Sequence, residues 1–126
     1  MFDDETTYKN ILPVALSFCL DDVAEVRFVA AKNLAKIVLQ FLNNPESDYY
    51  KKIIQLLDCF ALSCHYNYRQ LFANMSYRLA RNKEFFKTYV LFQLNYLIRD
   101  KVVNVRLSVA MVVSKLLSRK SILNLN

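Results

Sequence analysis

Few residues in this sequence have the chemistry to cut, transfer or ligate. His65 is the single histidine, with Cys64 beside it and Cys59 just upstream. A Cys-x4-Cys-His run matches no common zinc spacing, and no fourth ligand is in reach, so neither a metal nor any other cofactor is expected. Cys64 and His65 are adjacent at a helix start, where consecutive side chains diverge, so they do not form a nucleophile–base dyad. Asp21, Asp22 and Glu25 have the look of paired carboxylates, but helix capping and complementarity to the helix dipole explain them fully. Asp22 with Glu25 three residues on reads as a capping box. No arrangement supports an enzyme.

The basic residues pose the more informative question. Residues 1–50 carry four Lys/Arg against eight Asp/Glu, a net of −4, and residues 51–126 carry thirteen against three, a net of +10. Arg69, Arg78 and Arg81 fall near one predicted helix, and Arg106, Lys115, Arg119 and Lys120 on another. With Tyr66, Tyr68 and Tyr77 interleaved, this charge reads in three ways: a solvated face, a site for an acidic protein segment, or a nucleic-acid surface.

The elements that must position these residues are helical. The sequence has no Gly and only Pro13 and Pro45, which removes the vocabulary of hairpins and phosphate-cradling loops. Its 55% hydrophobic content supports a real core in a single domain spanning 1–126. The start is acidic where a secretory signal is basic, the longest apolar run (89–98) is too short for a bilayer, and three cysteines form no framework. The expectation is a cytoplasmic or nuclear protein, or one found in both, with no membrane partner.

Apolar residues at three-and-four spacing predict a helix over 8–20, with Pro13 in its first turns or at a kink. The next carries Val23, Val26, Ala30, Leu34, Ile37 and Phe41 on one stripe, which Phe28, Val29 and Leu39 widen toward a second neighbour. Asn43-Asn44-Pro45 marks a boundary, with Pro45 expected at the first helical position of the third helix. A fourth helix is predicted over 66–79, a fifth over 84–98 and a sixth from Asp100 onward. Residues 119–126 read as a tail or the start of a further helix, with Ile122, Leu123 and Leu125 ready to meet another surface. Six helices make three antiparallel pairs, 8–42, 45–81 and 84–118, and the pairs superpose. Setting Arg27 on Arg69 takes a shift of 42, and Arg69 on Arg106 a shift of 37. Val23, Val26, Ala30, Leu34 and Ile37 then fall on Val102, Val105, Val109, Val113 and Leu116, and in the middle pair on His65, Tyr68, Phe72, Ser76 and Leu79.

Leu12-Pro13…Leu20-Asp21…Val26-Arg27…Ala30-Ala31…Leu34, and again Leu97…Asp100…Val105-Arg106…Ala110…Leu116-Leu117, resemble the HEAT repeat family. The middle copy keeps Tyr68-Arg69 and Ala73 but has Ser63 in place of Asp. More narrowly, Tyr66-Asn67-Tyr68-Arg69-Gln70-Leu71-Phe72 with 92–117 is similar to repeats of the protein phosphatase 2A scaffold and phosphatase 4 regulatory subunits. The resemblance implies an all-α, right-handed α-solenoid of armadillo type. It implies a non-catalytic scaffold or regulatory subunit that meets a phosphatase catalytic subunit through the turns inside each repeat. The residues so implied are Asp21, Asp22 and Glu25, then His65, Tyr66 and Asn67, then Lys101 and Asn104. Asp21, Arg27, Arg69, Asp100 and Arg106 are expected to form a ladder between repeats. In such a stack the second helices line the concave face, so Arg69, Arg78, Arg81, Arg106, Lys115 and Arg119 are expected to form a basic stripe there. Two other readings remain: a nucleic-acid-binding solenoid using that stripe, and a karyopherin-like transport module.

Overall fold

The protein is described by a computed structural model covering the backbone of residues 2–123 and the side chains of residues 2–119. It is all-helical: six helices, and no strand among the described residues. Helix α1 runs through Asp4–Thr6, a π-helical turn at Thr7–Ile11, and Leu12–Phe18. Then come α2 (Ala24–Leu42), α3 (Asp48–Ala61) and α4 (Tyr66–Leu79). Helix α5 runs through Lys83–Phe85, a second π-turn at Phe86–Val90, and Leu91–Leu97, and α6 is Val103–Leu123. None of them is long and apolar enough to cross a membrane.

Helix α1 starts four residues before the apolar pattern does, because the Asp3 carboxylate accepts the Thr6 N–H at 2.7 Å. Pro13 lies inside it, directly after the π-turn in which Leu12 N–H bonds the Thr7 carbonyl. That wider turn takes up the disruption a proline brings to the ladder, so the helix is not broken. A second π-turn opens α5, and Asn82 there caps Phe85 N–H at 3.1 Å as Asp3 caps α1. Pro45 does not open α3. Ser47 N–H donates to the Asn44 carbonyl at 3.1 Å, an i to i+3 turn with Pro45 at its second position, and Ser47 caps the helix. The chain past residue 118 is not a separate element as far as Leu123, since α6 continues through it. The side chains of Ile122 and Leu123, and all of Leu125, lie outside the described residues.

The core runs the length of the molecule. Helix α2 buries Ala30, Ala31, Leu34, Ala35, Val38, Phe41 and Leu42, a stripe rotated from the expected one. Val23, Phe28 and Val29 are instead about half exposed or more. Phe72, Met75 and Leu79 of α4 and Val105 and Val109 of α6 are fully buried. The most extensive packing joins α2 to α4 and α4 to α6, and α1 packs on α2 and α3 on α4. Odd-numbered helices meet through side chains: Tyr8 lies 4.9 Å from Tyr49, and the Tyr89 hydroxyl donates to Asp58. Each fully buried Leu, Ile or Phe contributes about 1.5–3 kcal/mol, so these shared seams hold the fold.

Candidate functional site

The turns between α1 and α2, α3 and α4, and α5 and α6 are built alike. The Arg27 guanidinium donates to the Asp21 carbonyl at 2.7 Å, that of Arg69 to the Ser63 carbonyl at 2.9 Å, and that of Arg106 to the Asp100 carbonyl at 2.7 Å. Each reaches six residues back. The side chain at that earlier position accepts the N–H two residues on: Asp21 from Val23 at 2.8 Å, Ser63 from His65 at 3.0 Å, Asp100 from Val102 at 2.9 Å. Carbonyl and N–H groups that a sharp turn leaves unpaired are thereby satisfied by two side chains at fixed spacing. The α2 cap position is Val23, and Asp21 serves it, so Asp22 and Glu25 do not make the expected capping box.

One ion pair links neighbouring turns. Arg69 Nε lies 2.7 Å from Asp100 Oδ2 and its Nη2 lies 3.0 Å from Oδ1, a bidentate pair whose side chains are only 10% and 7% exposed. Hydrogen bonding to Arg69 outweighs burial and holds the Asp100 carboxyl below the usual carboxylate range. The same bond raises Arg69. The expected ladder therefore has one rung. Ser63 holds the corresponding sequence position one turn earlier but has no carboxylate, and Arg27 stays on the carbonyls of Asp21 and Asp22.

The other residues assigned to the turns, Asp22, Glu25, His65, Tyr66, Asn67, Lys101 and Asn104, are exposed, and Asp21 is half-buried. Turns two and three come together around a cleft lined by Leu62, Ser63, Arg69, Arg99, Asp100 and Lys101. The start of α2 meets that of α4 in a smaller cleft between Arg27, Phe28, Asn67 and Gln70. The turns thus follow one another along one edge of the molecule.

The basic stripe needs correction. Arg69 is buried and committed to Asp100, so it belongs to the interior and not to an open surface. Arg106 is exposed but tied to its own turn, and Arg78 and Arg119 are half-buried. Tyr68 is no stacking anchor either, since its ring lies parallel to that of Phe60 at 5.7 Å. The structure adds Lys36. Residues 36, 78 and 115 fall at one register under the shifts of 42 and 37, and all three are basic: Lys36, Arg78, Lys115. They stand on α2, α4 and α6, the helices that pack consecutively, with the Lys115 ammonium 5.7 Å from the Tyr77 ring. Lys36 also borders a wide groove with Gln40, Asn43, Arg81, Asn82 and Lys83. Superposing the repeats on their arginines finds Lys36 from sequence; Lys83 carries no such signal.

His65, Cys59 and Cys64 are exposed, with the His65 ring 6.3 Å from that of Tyr68. Cys19 is buried, which pushes its thiol up to about 11. Among the described residues no three His, Cys, Asp or Glu side chains are gathered as a metal site would require. Burial, and then the bond to Asp58, raise the Tyr89 hydroxyl well above the ordinary tyrosine range. Searches against family models, curated proteins and solved structures match nothing to this chain.

Proposed function

We propose that the six helices form a right-handed α-solenoid of three HEAT-like pairs, 8–42, 45–81 and 84–118, acting as a non-catalytic scaffold or regulatory subunit. Its partner on this reading is a protein presenting an acidic segment, in the cytoplasm or nucleus. A phosphatase catalytic subunit or one of its adaptors is the class that the resemblance suggests. The repeat reading is supported by the arginine clamp and its side-chain cap, which recur in all three turns. The binding reading is carried by one observation, the row Lys36–Arg78–Lys115 on consecutively packed helices. Packed helices stand about 8–10 Å apart. An extended chain advances roughly 3.3–3.6 Å per residue, so carboxylates at about every third position match the row.

The test is fluorescence anisotropy with an extended peptide carrying Asp or Glu at every third residue, beside a scrambled-spacing peptide and a single-stranded oligonucleotide. Tighter binding of the spaced peptide, lost in a Lys36→Glu/Arg78→Glu/Lys115→Glu variant, is expected. A nucleic-acid reading draws on the +10 balance of residues 51–126. Preference for the oligonucleotide, with affinity falling steeply in salt, would favour it instead. Capture from lysate with and without nuclease, followed by phosphatase assay of the eluate, checks the narrower assignment. An eluate that depends on a small GTPase points to the transport module.

A further inference from the structure

We infer that this chain self-associates head to tail, the open face of its third pair receiving the open face of the first pair of a second copy. The inference rests on the repeat reading above and needs none of its acidic partner.

The receiving face is an apolar groove between α5 and α6 that includes Leu91, Leu94, Ile98, Val109, Val113 and Leu117. Moved back one repeat, these positions are Ile54, Leu57, Ala61, Phe72, Ser76 and Ala80, on the two helices that carry the third pair. The groove thus has the composition of an inter-repeat seam, and no helix lies over it among the described residues. The entering face is equally recognisable. Val90, Gln93, Leu97 and Ser108 are buried in the third pair, and at the same register the first pair has Ile11, Val14, Phe18 and Val29. Val14, Phe18 and Val29 are 56%, 52% and 58% exposed.

Polar contacts and charge choose a second copy as the occupant. The second and third pairs are joined by Arg69–Asp100 and by Tyr89–Asp58. Between copies, the residues at those registers are Arg106 with the second copy's Asp21, and Asn95 with the second copy's Asn10. The first is a cation facing an anion, and the second pairs two amides, each donor and acceptor. Arg106 is exposed, and among the described residues the Asp21 carboxylate has the Val23 N–H as its hydrogen-bond partner. Because the two faces differ, the contact is heterologous and the assembly grows unless it closes into a ring.

Sedimentation velocity on the 126-residue chain across a hundredfold concentration range tests this. Species beyond the monomer are expected, shifting to smaller ones as salt rises. Val113→Glu blocks the receiving face and Val29→Glu the entering one. Both side chains are exposed in the monomer, so circular dichroism and melting should be unchanged. Each variant alone is expected to associate about tenfold more weakly or worse, and their equimolar mixture to give one discrete heterodimer. Asp21→Arg and Arg106→Asp, weak apart, should associate when mixed. A monomer at every concentration overturns the inference, as does self-association that neither glutamate affects. In both cases the acidic-peptide test remains open.

Discussion

Ser63 occupies the turn position that is aspartate in the other two turns, and Ser63→Asp should therefore build a missing rung. An aspartate there keeps the cap that Ser63 Oγ now gives to His65 N–H. It also adds a carboxylate at the register that Asp100 holds toward Arg69, and equivalence of the turns would bring it within reach of Arg27. The guanidinium is already held by the carbonyls of Asp21 and Asp22, so little side-chain entropy is lost in pairing it. A hydrogen bond to a charged group contributes roughly 1.5–3 kcal/mol, an exposed pair only about 0–1. Arg27 is half-buried, between those limits, so the expected gain is about 1 kcal/mol. For a chain of this size that is about 3–5 °C in melting temperature. Urea unfolding of the wild type, Ser63→Asp, Arg27→Leu and the double variant closes a cycle that isolates the new pair. A gain that survives in the Arg27→Leu background, or no gain at all, would refute the equivalence of the turns.

Three further outcomes follow from the same geometry. Asp100→Asn keeps an acceptor for Val102 N–H but strands Arg69, and should lower urea stability by about 3 kcal/mol, the low end for breaking a buried pair. The Asp100 pKa is depressed on folding, so the pair's contribution is present above the ordinary carboxylate value near 4 and lost as pH falls through the lower folded value. The wild type and the variant should accordingly converge in stability as pH falls below the ordinary carboxylate range. Tyr89→Phe leaves Asp58 without its donor and should cost about 1 kcal/mol by the same unfolding assay. Cys59 and Cys64 should react with a thiol reagent in native buffer at pH 8, and Cys19 only in denaturant.

Where side-chain spacing alone decides, sequence reading located the elements closely. The fourth helix, expected over 66–79, begins and ends where the structure has Tyr66–Leu79. The π-turn at Thr7–Ile11 was invisible, since one wide turn barely alters a three-and-four pattern. Pro45 misled because proline suits both a first helical position and the second position of a turn, and only the Ser47 to Asn44 bond separates them. At the turns the arginines were legible, but their acceptors were not. A carbonyl six residues back leaves no mark on side-chain identity. Side-chain identity alone therefore fits Arg69 to an open stripe as well as to the ladder, and Lys36 does not stand out because it lies in the acidic half of the chain.

The unequal spacing of the three turn arginines links this pattern to the groove. The shift of 42 between the first two arginines exceeds the later 37, and the excess lies in α2, which has 19 residues against 14 in α4. Five residues add roughly 7.5 Å of helix, so α2 overhangs the end of α4. An apolar overhang needs cover, and the N-terminal segment supplies it. Tyr8 packs edge-on to Phe41 at 6.1 Å, and Gln40 Nε2 donates to Asp4 at 2.8 Å and to the Phe2 carbonyl at 3.2 Å. Beside the overhang, where α4 stops and Arg81–Lys83 turn away, opens the groove that Lys36, Gln40 and Asn43 border. Shortening α2 to the later spacing would remove Gln40 and Asn43 from that wall. The greater length of α2 is thus what sets its Lys36 and the cations after α4 around a shared opening.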